Sequence, residues 1–123
     1  MTDPPIIAVV DDDRSIRTGV ARLLRSAGYH VRLFDCAEAF LDDASLPLPS
    51  ALLTDIHMPG MNGLDLQAAL RGRNPAFEVL VMTAYPDPGD LRRAIAGGAR
   101  CVLSKPFDAD ELLAHLEAAT GGT

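Results

Sequence analysis

Short apolar runs alternate with amphipathic stretches along the whole chain. Ile6–Val10 is a continuous apolar run rich in β-branched residues, which is typical of a buried strand. Apolar residues then recur at helical spacing from Ile16 to Ala27, and Gly28 ends this predicted helix. The later predicted strands are His30–Phe34, Ala51–Thr54, Val79–Met82 and Cys101–Leu103, and the later predicted helices are Ala37–Asp43, Leu64–Arg71, Gly89–Ala96 and Ala109–Ala119.

The order of these elements predicts the fold class. Five strands alternate with five helices, and the strands are continuously apolar, which indicates a parallel sheet covered on both faces. The chain is therefore predicted to be an α/β protein with a doubly wound, five-stranded parallel sheet. Its 123 residues, 48% of them apolar, suit one domain over residues 1–123, with a core from about residue 5 to residue 119. Asp35 and Glu38 also resemble a capping box at the start of the second helix.

Composition and charge exclude several classes of function. Acidic residues outnumber basic ones by 17 to 11, the net charge is −6, and the basic residues are scattered. We therefore expect no direct binding to nucleic acid or to an anionic membrane. The first five residues lack the pattern of a signal peptide, and the apolar runs are too short to span a bilayer, so a cytoplasmic location is predicted. Cys36 and Cys101 lie far apart and show no metal-ligand spacing.

Acidic residues follow two of the predicted strands. Asp11 and Asp12 come directly after the first strand, and Asp55 comes after the third. The carboxyl ends of parallel strands meet at one edge of the sheet, where open α/β folds place their sites, so we expect these carboxylates to converge. Helix capping is the alternative explanation of the acidic run. Carboxylates brought together would repel one another unless a cation lay between them, and a few open oxygen ligands favour Mg²⁺.

The fourth and fifth strands supply a hydroxyl and a cation at the same edge. Thr83 follows the fourth strand, and Lys105 follows the fifth within Ser104-Lys105-Pro106. A carboxylate such as Asp55 is a competent nucleophile toward an activated phosphoryl group. An ammonium group and a hydroxyl are the donors that a phosphorylated carboxylate would need.

These motifs resemble the receiver domains of two-component response regulators over the whole chain. The acidic residues, nucleophile, hydroxyl and lysine occur in the family's order. Asp12 and Asp55 are separated by 43 positions, Asp55 and Thr83 by 28, and Thr83 and Lys105 by 22, all typical of the family. The matching segments are Val9-Val10-Asp11-Asp12-Asp13, Thr54-Asp55-Ile56-His57-Met58-Pro59-Gly60-Met61-Asn62-Gly63, Met82-Thr83-Ala84 and Ser104-Lys105-Pro106-Phe107.

The resemblance implies a fold and a set of residue roles. The fold would be CheY-like, with strand order 2-1-3-4-5. Asp55 would be the phosphoacceptor, and Thr83 and Lys105 would bind phosphate oxygens. Mg²⁺ would be held by Asp12 and Asp55, by Asp11 largely through water, and by the backbone carbonyl of His57. The peptide bond between Lys105 and Pro106 is expected to be cis.

The resemblance also implies partners and a signalling role. The phosphoryl donor would be a sensor histidine kinase or a phosphotransfer protein. The phosphorylated form would change its partner binding and so regulate transcription. The chain would be a switch that assists its own phosphorylation and dephosphorylation, not a metabolic enzyme. Phosphorylation could produce a homodimer through the fourth helix, fifth strand and fifth helix. The charged residues of this surface are Arg92, Arg93, Arg100 and His115.

One position departs from the family pattern. Receivers often carry an aromatic residue three positions before the lysine, and its rotamer reports phosphorylation. Val102 occupies that position here, which puts the coupling between Thr83 and a swinging ring in doubt. The segment from Phe34 to Leu41 and the motif around Asp55 look most like receivers of LuxR/FixJ-type regulators. Both a single-domain regulator and the receiver of a longer DNA-binding regulator are compatible with the sequence.

Two functions other than that of a receiver fit parts of the same pattern. A Mg²⁺-dependent phosphohydrolase would also use an aspartyl nucleophile, but such enzymes favour an acid two residues later, where this chain has His57, and they generally need a cap over the substrate. A flavodoxin-like cofactor binder would need a phosphate-cradling, glycine-rich loop after the first strand. The acids from Asp11 to Asp13 would repel phosphate there unless a metal intervened.

Overall fold

A computed structural model describes residues 4–43, 48–73 and 77–121. All of the predicted strands and helices are present in these ranges. Their first and last residues differ from the predicted ones by at most two positions. The first helix is left out of this comparison, because only its apolar face was predicted. The elements are β1 Ile6–Val10, α1 Arg14–Ser26, β2 His30–Phe34, α2 Ala37–Asp42, β3 Ala51–Asp55, α3 Gly63–Arg73, β4 Glu78–Thr83, α4 Pro88–Ala96, β5 Cys101–Ser104 and α5 Ala109–Ala119.

The sheet has five parallel strands in the order β2-β1-β3-β4-β5. The predicted doubly wound parallel sheet and its strand order are therefore confirmed. The order reverses at β1, which lies between β2 and β3. In the register of the sheet Val10 is level with Phe34 on β2 and with Thr54 on β3. The acidic residues that follow β1 consequently lie beside the carboxyl end of β3.

Alternate residues of each strand pack against helices on opposite faces of the sheet. On one face, Ile7 and Val9 pack in a cluster with buried residues of α1 and α5. On the other face, Ala8 and Val10 pack with residues of α2 and α3. A third cluster, which we call the α4 cluster, lies beneath the last turn of α4 and consists of Ile56, Leu64, Val81, Ala94 and Ala99, with Val79 and Val102 packed against it.

Aspartate side chains cap three of the helices at the carboxyl edge of the sheet. Asp13 accepts from the N–H groups of Ser15 and Ile16 at the start of α1, and Asp87 and Asp108 cap α4 and α5. Sequence patterns alone do not reveal which acid of a run becomes the cap, because that depends on which residue adopts the extended backbone before the first helical turn.

The predicted capping box at α2 is wrong. Cys36, not Asp35, has the extended backbone of the N-cap, and its Sγ accepts from the N–H of Ala39 at 3.4 Å. Glu38 is instead turned toward the loop after β3, where its Oε2 accepts from the N–H of Met61 at 3.4 Å. Within the described ranges, no helix has the length and apolar character needed to cross a membrane.

The parallel sheet depends on its central strands, so truncating one of their buried side chains should be costly. Leu53 of β3 is fully buried, and Leu53→Ala should lower the free energy of unfolding by about 2–5 kcal/mol through lost burial and a residual cavity. Leu48, which is 59% exposed, provides the control, since Leu48→Ala should change stability by less than about 0.5 kcal/mol. Urea unfolding followed by circular dichroism measures both values, and similar losses for the two variants would contradict the assigned core.

Candidate functional site at the carboxyl edge of the sheet

Three carboxylates meet beyond the ends of β1 and β3, as predicted. One oxygen from each of Asp11, Asp12 and Asp55 lies within 4.8 Å of the others. Asp11 is fully buried and Asp55 is 5% exposed, while Asp12 is exposed to solvent. Asp13 caps α1 and its N–H donates to Asp11 Oδ1 at 2.9 Å. Capping therefore explains Asp13, and it does not explain the other acids of the run.

Lys105 reaches this cluster from the loop after β5. Its Nζ lies 2.7 Å from Asp11 Oδ2 and 3.3 Å from Asp55 Oδ2, and its side chain is only 12% exposed. Its backbone N–H donates to the carbonyl of Thr83 at 2.7 Å, which ties the loop to β4. The peptide bond to Pro106 is cis, as expected. The ammonium group thus lies between two buried carboxylates that belong to neighbouring strands.

The pKa values of Asp55 and Lys105 are both raised, which disfavours the charged form of Asp55 and favours the charged form of Lys105. Burial raises the pKa of Asp55 above its ordinary value of 3.8, and the charge of Asp11 raises it further, while Lys105 opposes both effects. Burial by itself lowers the pKa of Lys105, but its hydrogen bond to Asp11 and the charges of both carboxylates outweigh burial and raise the pKa above 10.5. Lys105 is therefore held as a cation, whereas the ionised form of Asp55 is disfavoured.

Thr83 and Ser104 end the two neighbouring strands at the same edge of the sheet. They are partners in the register of β4 and β5, and Thr83 is fully buried. The Oγ of Thr83 accepts from the backbone N–H of Tyr85 at 3.1 Å. Asp55 is level with Met82, the residue before Thr83, so the hydroxyl lies one residue beyond Asp55 on the adjacent strand. The structure thus brings together Asp11, Asp12, Asp55 and Lys105, and it places Thr83 at the same edge of the sheet on the strand next to Asp55.

His57 and Tyr85 form an exposed rim on the loops that follow β3 and β4. His57 Nε2 lies 3.5 Å from Asp90 Oδ2, with half of the histidine side chain exposed. The rings of His57 and Tyr85 make an edge contact at a centroid distance of 6.3 Å, and Tyr85 is 76% exposed. No sequence pattern distinguishes Asp90, because it lies in the first turn of α4, where an acidic residue is common.

Two supporting residues were also missed by the sequence analysis. Arg17 of α1 donates from Nη1 to the carbonyl of Asp11 at 2.8 Å, which braces the turn after β1. Gly63, at the start of α3, packs so closely on β3 that a Cβ there would lie 2.2 Å from the carbonyl oxygen of Asp55. Arg17 is one of several arginines in α1, and its spacing does not distinguish it. Gly63 was visible only as one of several turn-forming residues.

Comparisons with known proteins agree with this arrangement. The family model described as response regulator receiver domain matches residues 7–117. The chain is 40% identical over 121 residues to the transcriptional regulatory protein FixJ of Bradyrhizobium diazoefficiens, and 41% identical over 114 residues to the DNA-binding transcriptional regulator NtrC of Escherichia coli K12. The alignments cover 97% and 93% of this chain, but only 58% of FixJ and 24% of NtrC.

Solved structures give the same result. The response regulator StyR superposes with a TM-score of 0.88 at 39% identity, over 96% of this chain and 60% of that one. The chemotaxis protein CheY4 of Vibrio cholerae superposes with a TM-score of 0.86 at 29% identity, over 94% of this chain and 98% of that one. The chain belongs to the response-regulator receiver domain family of two-component signalling. The resemblance inferred from its motifs is confirmed.

The close packing of Gly63 on Asp55 should make that position intolerant of any side chain. Gly63→Ala places a methyl group against a backbone carbonyl that cannot move without disturbing β3, so we expect a loss of about 1–3 kcal/mol in the free energy of unfolding. Gly72 lies in the same helix with open space around its would-be Cβ, and Gly72→Ala should stabilise the protein by about 0.4–1 kcal/mol. Chemical denaturation measures both effects, and a neutral Gly63→Ala would refute the close approach.

The raised pKa of Asp55 predicts that the site costs stability at neutral pH. Since native Asp55 holds its proton more tightly than the unfolded chain does, stability falls as the pH rises above 3.8 and Asp55 ionises. Asp55→Asn keeps the shape and removes this ionisation. In metal-free buffer at pH 7 the variant should therefore have a higher free energy of unfolding than wild type.

This difference should shrink as the pH falls below the raised pKa of native Asp55, and it should vanish well below 3.8, where wild-type Asp55 is protonated in both states. Asp35 lies at the same edge of the sheet after β2 and is exposed, so Asp35→Asn serves as the control and should show no comparable gain. Urea denaturation at several pH values provides the data. An Asp55→Asn variant less stable than wild type at pH 7 would show that ionised Asp55 stabilises the fold.

Proposed function

We propose that this chain is a phosphoacceptor receiver in which Asp55 takes a phosphoryl group from the phosphohistidine of a sensor histidine kinase or a phosphotransfer protein. The observation that supports this most directly is the grouping of Asp55 with Asp11, Asp12 and Lys105 at the carboxyl edge of the sheet. This grouping supplies a nucleophile, acidic oxygen ligands for a cation and an ammonium group within one small site.

The transfer would replace one phosphorus bond with another. A carboxylate oxygen of Asp55 forms a bond to phosphorus, the bond between phosphorus and the imidazole nitrogen of the donor breaks, and the electron pair remains on that nitrogen. The imidazole then takes up a proton. Because Asp55 must be ionised to attack, the nearby charge of Lys105, which lowers the Asp55 pKa against the effect of burial, favours the reactive form.

The acidic cluster fits a divalent cation of the Mg²⁺ type. Its donors are carboxylate oxygens from Asp11, Asp12 and Asp55, one of them on a solvent-exposed residue, which suits a hard cation that retains water ligands. We propose that Asp12 and Asp55 bind the ion directly, that Asp11 acts largely through water, and that the backbone carbonyl of His57 completes the protein ligands. Bound Mg²⁺ would neutralise charge on the phosphoryl group during transfer.

Lys105 and Thr83 are the proposed ligands of the phosphoryl group once it is on Asp55. Lys105 Nζ is 3.3 Å from Asp55 Oδ2, so it needs only a small movement to reach an oxygen attached to that carboxylate. Thr83 carries its hydroxyl on the adjacent strand, and this oxygen already accepts from the N–H of Tyr85 in the loop that follows β4. A new hydrogen bond to phosphate would therefore pull on that loop as well as on the side chain.

The phosphorylated chain would act as a signalling switch that assists its own phosphorylation and dephosphorylation. FixJ and NtrC are named as transcriptional regulators, and the chain spans only part of each, so we propose a role in controlling transcription, with residues 1–123 as one receiver domain in the cytoplasm. A homodimer formed on phosphorylation would use the face of α4, β5 and α5. The charged residues in or next to these elements are exposed Arg92, Arg93 and Arg100 and partly exposed His115, although Arg93 also lines the groove between α3 and α4.

A phosphohydrolase function has less support. In such enzymes a second acid two residues after the nucleophile would protonate the leaving group, whereas this chain has His57 there. The His57 ring is directed to Asp90 on α4 and to Tyr85. No observation on the described residues favours a substrate of that kind over a phosphorylated partner.

Mass spectrometry of the intact protein tests the proposed function. Incubation with acetyl phosphate and Mg²⁺ should add one phosphoryl group to wild type, and Asp55→Asn or an excess of chelator should abolish the addition, because the nucleophile or the ion is then missing. Asp35→Asn is the matched control and should be phosphorylated like wild type, since Asp35 lies at the outer strand. An unmodified wild-type protein that is folded and supplied with Mg²⁺ would overturn the proposal.

A further inference from the structure

Gln67 lies where α3 and α4 meet, and its side chain is almost completely buried. The residue is 3% exposed, which is unusual for a polar, flexible side chain. Its Nε2 donates to the backbone carbonyl of Ala94 in α4 at 3.0 Å. The same carbonyl accepts from the N–H of Ala99 at 3.0 Å, in the turn that ends α4. Gln67 therefore binds the carboxyl end of α4 through a carbonyl that also accepts the hydrogen bond ending that helix.

Close packing surrounds this hydrogen bond. A Cβ at Gly97, directly after α4, would lie 3.2 Å from Gln67 Nε2 and 3.2 Å from the carbonyl oxygen of Arg93. The end of α4 is thus seated against the amide of Gln67 with little space between them. A helix held this closely by a single polar side chain has a defined position that depends on that side chain.

The other half of the amide has no partner. Gln67 Oε1 is buried, and no donor among the described residues lies within hydrogen-bonding distance of it. A buried acceptor without a partner carries a free-energy cost, so this arrangement of α3 and α4 is less stable than one in which Oε1 is paired. Arg71 and Arg93 line the groove between the two helices beside Gln67, and each carries N–H donors.

The contact connects to Asp55 through the α4 cluster. Ile56, the residue after Asp55, packs in this cluster together with Ala94, whose carbonyl binds Gln67. Val102, at the position where receivers often carry a swinging aromatic residue, packs against the same cluster and has no ring to rotate. A movement of α4 in this chain would therefore be coupled to contacts other than a rotating ring. The polar contact described between α3 and α4 is the hydrogen bond from Gln67 to Ala94.

We propose that Gln67 is a positioning residue that holds α4 in its unphosphorylated place. On phosphorylation, α4 shifts, the bond from Nε2 to Ala94 is released, and Oε1 gains a donor. This proposal rests on the proposed phosphorylation of Asp55. The difference in free energy between the two positions of α4 then depends on one hydrogen bond lost at Nε2 and one gained at Oε1. A difference of this size suits a switch between two states of similar stability.

Hydrogen exchange of the backbone amides of residues 88–99 tests the role of Gln67. Gln67→Met keeps the length of the side chain, ends the hydrogen bond to Ala94 and also relieves the cost of unpaired Oε1. If Gln67 holds α4, the hydrogen bond has the larger effect, and α4 of the unphosphorylated variant should exchange faster than in wild type, by up to about fivefold, the change expected for loss of one hydrogen bond. Leu66→Met is the matched control on α3, because Leu66 is buried against the sheet and not against α4, and its α4 should exchange like wild type.

The same measurement after treatment with acetyl phosphate and Mg²⁺ tests the switch. Phosphorylated wild type should show faster exchange in α4, and phosphorylation of Gln67→Met should add little to its already fast exchange. Gln67→Asn is a second variant, used in place of Gln67→Met if circular dichroism shows that Gln67→Met is poorly folded. Its side chain is too short to reach Ala94, so the same exchange behaviour is expected.

The outcomes separate this inference from the proposed function. Unchanged α4 exchange in both folded variants, or unchanged α4 exchange in wild type whose mass shows one added phosphoryl group, would overturn the role of Gln67 and leave the phosphorylation proposal intact. A wild-type protein that gains no phosphoryl mass would overturn the proposed function, and the switching role would fall with it. Faster exchange in Leu66→Met as well would show that α4 responds to any change in α3, and it would also overturn the assignment.

Discussion

Two carboxylates that come from neighbouring strands, those of Asp11 and Asp55, are buried in one site, and Lys105 is the cation that lies between them. Burying one of these charges without a partner would cost several kcal/mol, on the order of 3–5 for a broken buried pair. The ammonium group must therefore come from a third strand that ends at the same edge. A parallel sheet with β1 and β3 adjacent and β5 within reach meets this requirement.

The surroundings of the site keep this charge arrangement in place. Asp13 caps α1 and at the same time donates its N–H to Asp11, so one turn both starts the helix and orients a buried carboxylate. Arg17 holds the carbonyl of Asp11, and Gly63 allows α3 to approach the carbonyl of Asp55. These contacts leave Asp12 exposed beside two oriented acids, which is the position from which an ion could be bound and released.

Sequence patterns were sufficient to predict the sheet, because apolar runs mark the strands locally. They were also sufficient to predict which residues lie at its edge, because the carboxyl ends of parallel strands lie side by side. Asp55, Thr83 and Lys105 could be placed together for this reason. The supporting contacts could not, since Arg17 differs from its neighbouring arginines only in what its guanidinium reaches after folding. The N-cap at Cys36 and the buried amide of Gln67 depend in the same way on backbone angles and helix packing that no short pattern specifies.

The site and the interface between α3 and α4 share one physical property. Each contains a buried polar group whose burial carries a free-energy cost. Burial raises the pKa of Asp55 and so disfavours its ionised carboxylate, which is the form that would attack a phosphoryl group in the proposed reaction. Gln67 Oε1 is buried without a donor. Natural domains tolerate few such costs, and tolerate them mainly at functional positions. Phosphorylation would change the charge at the first position, and Ile56 and Ala94 lie in one packed cluster between the two. A change at Asp55 could therefore reach Gln67 through packed side chains, and a change of partner at one amide would be enough to alter the position of α4 if the two positions have similar stability.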